Sequence, residues 1–481
     1  MTITGTDFAT ITPVLIVVLA ACAALIAEAI RRTGDQMPAG VFGIIGLAGA
    51  AYTSINQWGR HLTGFGVIVA DDFALFVNLV LCAVGLLTIL LSWGTAGRDQ
   101  LPEGEYHSLT LFSLAGMMLM GSTRDLLVIF IALEIMSLGV YVLTGIKRAS
   151  EQGAEAAFKY FVLGAFSSAF FLYGIALAYA ATGTTKLDDI GLAVAQSISQ
   201  PDLLLVMAML LLLVGFAFKV SAVPFHMWTP DAYQGAPTLV TAFMSTGVKA
   251  AAFAAFLRVF LSAFEPMRAD WIPILAVIAG ITMIIGTVVG VAQSNVKRML
   301  AYSSIAHAGY LLVGLVAASN AGKAAILFYL AAYAVTNLGA FGVIAALSSH
   351  DRPHDDIRDF AGLWHERPAL AGLLTVFLLS LGGFPPTVGF IGKWYIFNAA
   401  VQAGFTKLAI IGVLTSVVSV FFYLRVVVMM YMTDDKAPGG RPRTPWVVAT
   451  GLGLAVAVVF YLGVQPGQVL TFARHSVESI F

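Results

Sequence analysis

The chain has 481 residues, of which 59% are hydrophobic and only 11% charged, and its formal net charge is zero. A water-soluble protein carries roughly 25% charged residues, so this composition excludes a soluble domain, and the charge balance excludes a nucleic-acid partner. The two cysteines, Cys22 and Cys82, lie in apolar runs without paired-ligand spacing, which excludes a disulfide framework and an iron–sulfur or other metal site of the chain's own.

The first apolar run, 11–30, has no basic region ahead of it and ends at Glu28, Arg31 and Arg32. A cleavable signal peptide has the reverse polarity, so this run reads as a retained transmembrane helix, with Glu28 as an interface anchor or partner contact. About 20 apolar residues span a bilayer as a helix. On that length thirteen more runs follow, at roughly 38–57, 71–93, 106–122, 125–146, 155–181, 202–228, 238–262, 271–292, 299–318, 322–348, 368–400, 405–432 and 445–464. The expectation is an all-α polytopic membrane protein of fourteen transmembrane helices. A barrel needs short alternating strands, and these runs are long and continuous. The longest polar stretches, 348–368 and 433–445, read as loops.

Loop charges set the orientation. Thirteen basic residues follow odd-numbered runs: Arg31, Arg32, Arg98, Lys147, Arg148, Lys297, Arg298, Arg352, Arg358, Arg367, Lys436, Arg441 and Arg443. The opposite side, with both termini, carries seven: Arg60, Arg124, Lys186, Arg268, Lys323, Lys407 and Arg474. The richer side belongs in the cytoplasm, which puts both termini on the periplasmic side of the cell inner membrane.

Two segments in the seventh and twelfth runs, 215–231 around Pro224 and 381–397 around Pro385 and Pro386, are too long for one regular helix and carry proline at their centres. Proline removes a backbone donor, so a helix broken there persists in a membrane where it lines a protein-enclosed polar path. Broken helices in corresponding places of two halves mark a repeat-built transporter. Runs 4–8 and 9–13 are therefore expected to form two inverted five-helix repeats. The chain divides into N-terminal helices over 1–123, an antiporter-like core over 124–425 and a C-terminal end over 426–481.

A charge at mid-bilayer costs roughly 2.5–3.5 kcal/mol on insertion scales, so the charges inside the runs carry the most information. Glu134 heads a polar stripe with Ser137 and Tyr141; it either makes an interhelical hydrogen bond or tunes a nearby lysine. Lys219 lies five residues before Pro224, and a lysine–glutamate pair of variable separation takes up and releases protons; a fixed salt bridge is the other reading. His226, seven residues after Lys219, is nominally on the same face and either joins it or caps exposed backbone. Lys249 continues a stripe from Thr241 and Ser245. His307, between Ser303 and Tyr310, suits proton relay. Lys393 follows the second break and mirrors Lys219. Lys159, about a turn into its run, either snorkels or joins the path. Arg258 and Arg425 read as snorkelling side chains near helix ends, and Lys297 and Arg298 as topology-setting charges. There is no Walker loop and no CxxC, CxxCH or haem-ligand histidine pair, so the chain has no ATP drive and no electron carrier of its own. The residues alone support movement of protons or cations driven from outside the chain.

Three segments carry a family resemblance. One runs from Phe218 and Lys219 through Pro224, Phe225, His226, Trp228, Thr229, Pro230, Asp231, Tyr233 and Gly235 to Pro237. Another runs from Lys297 and Arg298 through Tyr302, Ser303 and His307 to Gly309 and Tyr310. The third runs from Leu381, Gly382, Gly383, Phe384, Pro385 and Pro386 to Gly389, Gly392 and Lys393. Together they resemble subunit N of proton-pumping NADH:quinone oxidoreductases, the respiratory complex I type, whose relatives include the Mrp cation/proton antiporters. The likeness is continuous over about 126–425. It implies that Glu134 and Lys219 form the input pair, Lys249 and His307 the central relay and Lys393 the exit or connecting lysine. It also implies partners in the other membrane subunits, the antiporter-like M subunit and the small K- and J-type subunits. NADH, FMN, iron–sulfur clusters and quinone would belong to the whole complex rather than to this chain. Two rivals stand beside it: an Mrp-type Na⁺(K⁺)/H⁺ antiporter subunit without redox coupling, and a structural spacer whose polar line no longer conducts.

Overall fold

The computed structural model describes residues 4–30, 39–94, 101–196, 202–348, 355–433 and 443–480. Six of the expected helix-rich runs begin at a polar residue whose side chain accepts backbone N–H bonds from the first turn: Asp71, Asp125, Ser150, Asp202, Asn295 and Ser319. With no water in hydrocarbon to satisfy free helix ends, such caps fix where each helix starts.

The N-terminal helices are α1 (Gly5–Ile30), α2 (Gly40–Gln57), α3 (Asp72–Ser92) and α4 (Glu103–Gly121). They are followed by α5 (Leu126–Thr144), α6 (Glu151–Thr182), a short α7 (Leu187–Gln196), α8 (Leu203–Lys219) and α9 (Trp228–Gly235). Next is α10 (Thr238–Ala263), an α-helix interrupted by π-helical turns at Met244–Val248 and Val259–Ala263. Then come α11 (Arg268–Val291), α12 (Val296–Val316), α13 (Asn320–Leu347), the single turn α14 (Leu363–Glu366), α15 (Pro368–Gly382), α16 (Val388–Gln402), α17 (Thr406–Met432), α18 (Trp446–Val464) and α19 (Gly467–Glu478). Among the described residues, ten helices are long and apolar enough to cross a membrane.

They form two shells. Helices α10, α12 and α13 are buried along nearly their whole lengths, whereas the outer helices each leave an apolar stripe uncovered. On α5 that stripe is Ile131, Ile135, Leu138 and Val142, at helical spacing and at least 40% exposed. An apolar stripe of this kind faces lipid rather than water.

Both expected breaks are present. Helix α8 ends at Lys219 and α9 starts at Trp228; α15 ends at Gly382 and α16 starts at Val388. The rings of Pro224, Pro385 and Pro386 are on the outside, while the lysine beside each break is buried. A proline has no N–H to satisfy, so its apolar ring can face lipid while the freed carbonyls turn inward.

Three elements were not read from the sequence. A hairpin, β1 (Leu62–Gly64) antiparallel to β2 (Ile68–Ala70), fills the turn after α2. Helices α7 and α19 are amphipathic; α7 buries Leu187, Ile190 and Val194, one side of a short helix. Both are too short to register against a bilayer-length template.

Several charges are corrected. Arg258 does not snorkel. It is completely buried, pairs with Asp71 through two 2.8 Å hydrogen bonds and donates to Gly121 O at 3.0 Å. Because α10 is an inner helix, its end reaches protein rather than lipid headgroups. Arg124 lies 3.6 Å from Asp71 and 3.4 Å from Asp188, extending the pair towards the surface. Lys297 is buried and donates to Ala236 O at 2.7 Å, closing the end of α9, and Arg425 donates to Val291 O and Gln293 O beyond α11. Of the charges read as setting topology, Arg31, Arg32, Arg98, Arg352, Lys436 and Arg441 lie outside the described residues.

Candidate functional site

The buried polar groups run from α5 to α17. On α5, Glu134 is half-buried and its carboxylate accepts a hydrogen bond from Ser168 Oγ of α6 at 2.5 Å. One turn on, Ser137 and Tyr141 face the end of α8, where Lys219 Nζ donates to Ser137 Oγ at 2.7 Å and Tyr141 Oη at 3.3 Å. Tyr141 fits because Gly164 on α6 has no side chain; a Cβ there would stand 1.9 Å from its hydroxyl. The direct Glu134–Lys219 ion pair is not formed: no carboxylate among the described residues lies within 4.0 Å of the Lys219 ammonium, and Ser137 holds it instead. Helix geometry explains the offset, since Ser137 and Glu134 share a face but are a turn apart.

Lys249 follows the first π turn of α10. Its Nζ donates to Ser304 O at 2.5 Å and Ser304 Oγ at 2.6 Å on α12, and lies 5.5 Å from the centre of the Tyr333 ring on α13. Ser245, one turn before it, accepts from Asn337 Nδ2 at 2.7 Å, so the stripe read from the sequence does line a polar contact surface. No hydrogen bond among the described residues links the Lys219 group directly to the Lys249 group.

From Lys249 onward the contacts are continuous. Tyr333 also packs on His307, with ring centres 5.1 Å apart. His307 Nδ1 is 2.5 Å from Tyr329 Oη, and Nε2 is 3.3 Å from Tyr423 Oη, which in turn bonds Ser303. The Tyr310 ring stands between His307, at 5.4 Å, and Lys393 Nζ, at 5.2 Å. Lys393 Nζ donates to Leu381 O at 2.8 Å, Gly382 O at 3.0 Å and Ser416 Oγ at 2.8 Å. The carbonyls freed by the second break therefore satisfy the ammonium directly. That geometry depends on Gly389, where a Cβ would fall 1.8 Å from Ser380 O. Gly389→Ala is expected to cost about 1–3 kcal/mol by overpacking and to pull Lys393 off its carbonyls. Thermal unfolding of the purified protein checks the first effect.

Two candidates lie elsewhere. Lys159 is at the surface, bonded to Glu155 at 2.7 Å and Asp231 at 3.0 Å, with Arg298 on the other Asp231 oxygen at 2.7 Å. His226 is half-buried in the loop after α8. Because the helix ends at Lys219, an i+7 spacing no longer places the two on one face.

The sequence reading missed the contribution of α13 and α17. Tyr329, Tyr333, Thr336 and Asn337 recur at helical spacing in an apolar run, as do Ser416, Ser419 and Tyr423. That periodicity of polar residues was the available signal.

A family model described as NADH:quinone oxidoreductase/Mrp antiporter, TM, matches residues 123–419, which include both breaks and all five principal candidates. NADH-quinone oxidoreductase subunit N of Trichlorobacter lovleyi is 46% identical over 438 residues, covering 91% of this chain and 90% of that protein. The chain belongs to the NADH-quinone oxidoreductase subunit N family. Subunit N of Chloroflexus aggregans is 40% identical and covers 99% of this chain and 98% of its own. A chain of respiratory complex I from Thermus thermophilus, solved with bound aureothin, is 36% identical with a TM-score of 0.80, covering 95% of this chain and 98% of that one. A chain of the Mrp complex from Dietzia sp. shares the fold, with a TM-score of 0.85 at 20% identity over 98% of this chain and 97% of that one. The relationship expected from the three motifs is thus to subunit N, within a fold that Mrp proteins share.

Proposed function

We propose that this chain is the antiporter-like N subunit of a membrane-bound NADH-quinone oxidoreductase and that it carries protons across the membrane. Family membership across nearly the whole chain supports the subunit assignment. NADH oxidation through FMN and iron–sulfur clusters to quinone belongs to partner subunits of the whole complex, while the neighbours of this chain in the membrane are the antiporter-like M subunit and the small K- and J-type subunits. Two full-length relatives bear the subunit N name, and the Mrp likeness is one of fold, which favours the redox-driven reading over a separate antiporter.

The observation that carries the proton role is the bonding of the lysines. Lys219, Lys249 and Lys393 are buried, yet their hydrogen bonds go to hydroxyls and backbone carbonyls, with no carboxylate within 4.0 Å among the described residues. A structural charge in a core is held by an opposite charge. An ammonium held only by neutral oxygens can lose its proton without stranding a counter-ion. Glu134 and Lys219 take up the proton, Lys249 and His307 relay it and Lys393 passes it on, with Tyr310 beside the last step. Among the described residues, Tyr310 Oη, Tyr333 Oη and Thr287 Oγ1 make no hydrogen bond within 3.5 Å, and buried groups of that kind are commonly satisfied by water that can complete such a relay.

Fourteen crossings follow if α2, α4 and the broken pairs α8–α9 and α15–α16 are added to the ten long helices. The two breaks then occupy equivalent places in inverted repeats of five helices. The core spans 124–425, flanked by 1–123 and 426–481, in the inner membrane with both termini periplasmic. A reporter fused to the C-terminus is expected to be active outside the cytoplasm, and cytoplasmic activity would refute this topology. The function is tested on the purified complex in proteoliposomes. It should contain flavin and iron–sulfur clusters, and Lys249→Met should assemble but pump protons at a small fraction of the normal rate. Unchanged pumping would remove the relay, and a complex without redox centres would favour the antiporter.

A further inference from the structure

Helix α13 presents different side chains in different directions. Tyr329, Tyr333 and Asn337 reach the polar groups around Lys249 and His307. Elsewhere around the same helix, Ala331, Ala334, Val335 and Leu338 form one wall of a cavity of about 610 Å³. Helix α3 forms the facing wall, from Phe76 to Leu87, and the ends of α2 and α18 with α19 close one end. Every lining side chain is aliphatic or aromatic. Ala83, midway along the α3 wall, is exposed, so the cavity is a cleft open on its outer side.

The closed end has the composition of a membrane interface. Trp58 meets Phe472 edge-on at 5.6 Å, and Tyr461 Oη donates to Gln468 Oε1 at 3.0 Å. Aromatic residues gather where hydrocarbon meets water, and an amphipathic helix such as α19 lies at the same level. Exposed Arg60 follows Trp58 by two residues. From Phe76 to Leu87 the cleft follows α3 for roughly 16 Å at 1.5 Å per residue. That is about half of a ~30 Å hydrocarbon core, the depth of one leaflet.

Size selects among occupants. An apolar cavity of about 150 Å³ takes one benzene, so this cleft has room for roughly twenty carbon atoms. A helix about 10 Å across and 16 Å long would need roughly twice the volume present. Water would find no hydrogen-bond partners along these walls, and a void would forfeit dispersion contacts. We propose that the cleft is a phospholipid site: an acyl chain inserted between α3 and α13, with its phosphate at the level of Trp58 and Arg60. The chain bridges the N-terminal helices to α13 and α18, and it supports α13 from behind while Tyr333 and Asn337 meet the polar line. The proposal rests on the membrane-spanning reading and not on the roles assigned to the lysines.

The test uses the intact complex reconstituted with a phosphatidylethanolamine bearing a diazirine at the end of one acyl chain, with labelled peptides identified by mass spectrometry. Residues 79–87 and 331–338 should be labelled well above the lipid-facing α5 stripe, 131–142. Ala83→Phe and Ala331→Phe, which fill the cleft from opposite walls, should each reduce that labelling to the level of 131–142 in assembled complex. Wild-type labelling no higher in the cleft than at 131–142 would overturn the proposal. So would a photoreactive benzoylphenylalanine at Leu79 that captures a neighbouring subunit instead of lipid. The wild-type comparison needs neither variant to fold, and none of these readouts depends on proton pumping.

Discussion

Replacing Lys219 with methionine is expected to lower coupled proton pumping by about two orders of magnitude, the usual scale for removing a positioned proton-transfer group. Methionine keeps much of the apolar bulk at the end of α8 but has no proton to exchange. Loss of the ammonium leaves Ser137 with its bond to Leu133 O and takes from the Tyr141 hydroxyl only a long, 3.3 Å contact. Assembly should therefore persist. Lys219→Arg is expected to impair pumping too, because a guanidinium stays protonated and its planar fork does not fit the Ser137 and Tyr141 hydroxyls. Proton uptake into proteoliposomes, with subunit content checked on the same samples, measures both. Normal pumping in both variants, in fully assembled complex, would sink the relay without touching the family assignment.

The largest expected effect on stability comes from Arg258→Met. Asp71 would keep a buried carboxylate with only its cap to Ala74 N and the more distant Arg124. Breaking a buried pair costs about 3–5 kcal/mol, whereas replacing both partners by apolar groups is often close to neutral. Arg258→Met should fail to accumulate in the membrane, and Arg258→Met with Asp71→Leu should recover part of the loss. A double variant as poor as the single one would mean that the pair is not the source of the defect.

The sequence was most informative where a property is local. Each apolar run contains a helix, and both proline breaks fall where their rings forbid a continuous one. Lys219, Lys249, His307 and Lys393 announced themselves by the cost of a charge in hydrocarbon. What was not legible depends on distant pairing. Lys249 and Ser304 are 55 residues apart, Ser303 and Tyr423 are 120, and Arg258 and Asp71 are 187. Arg258 read as a surface charge because nothing in its neighbourhood shows that α10 is an inner helix. The same ignorance of depth made Lys297 look like a loop charge. Polar residues on α13 and α17 are uncharged, so they raise no alarm on a hydropathy scale even though they touch the histidine and a lysine.

The two-shell arrangement has a consequence for how this chain enters a membrane. The inner helices α10 and α12 are the least apolar of the ten long spans, and they carry Lys249 and His307; the outer helices α1, α3 and α5 are among the most apolar. Insertion from the translocon rewards apolar content and penalises a central lysine by a few kcal/mol. The outer helices can therefore partition into lipid one by one as they emerge, whereas α10 and α12 gain a favourable environment only once neighbours surround them. A ribosome pausing or a truncation before α12 would leave α10 exposed, with its lysine facing acyl chains, and such a fragment should be cleared by membrane proteases. If Lys249 and His307 relay protons as proposed, the helices that carry the relay are the last to become stable, and quality control during biogenesis acts most strongly on them.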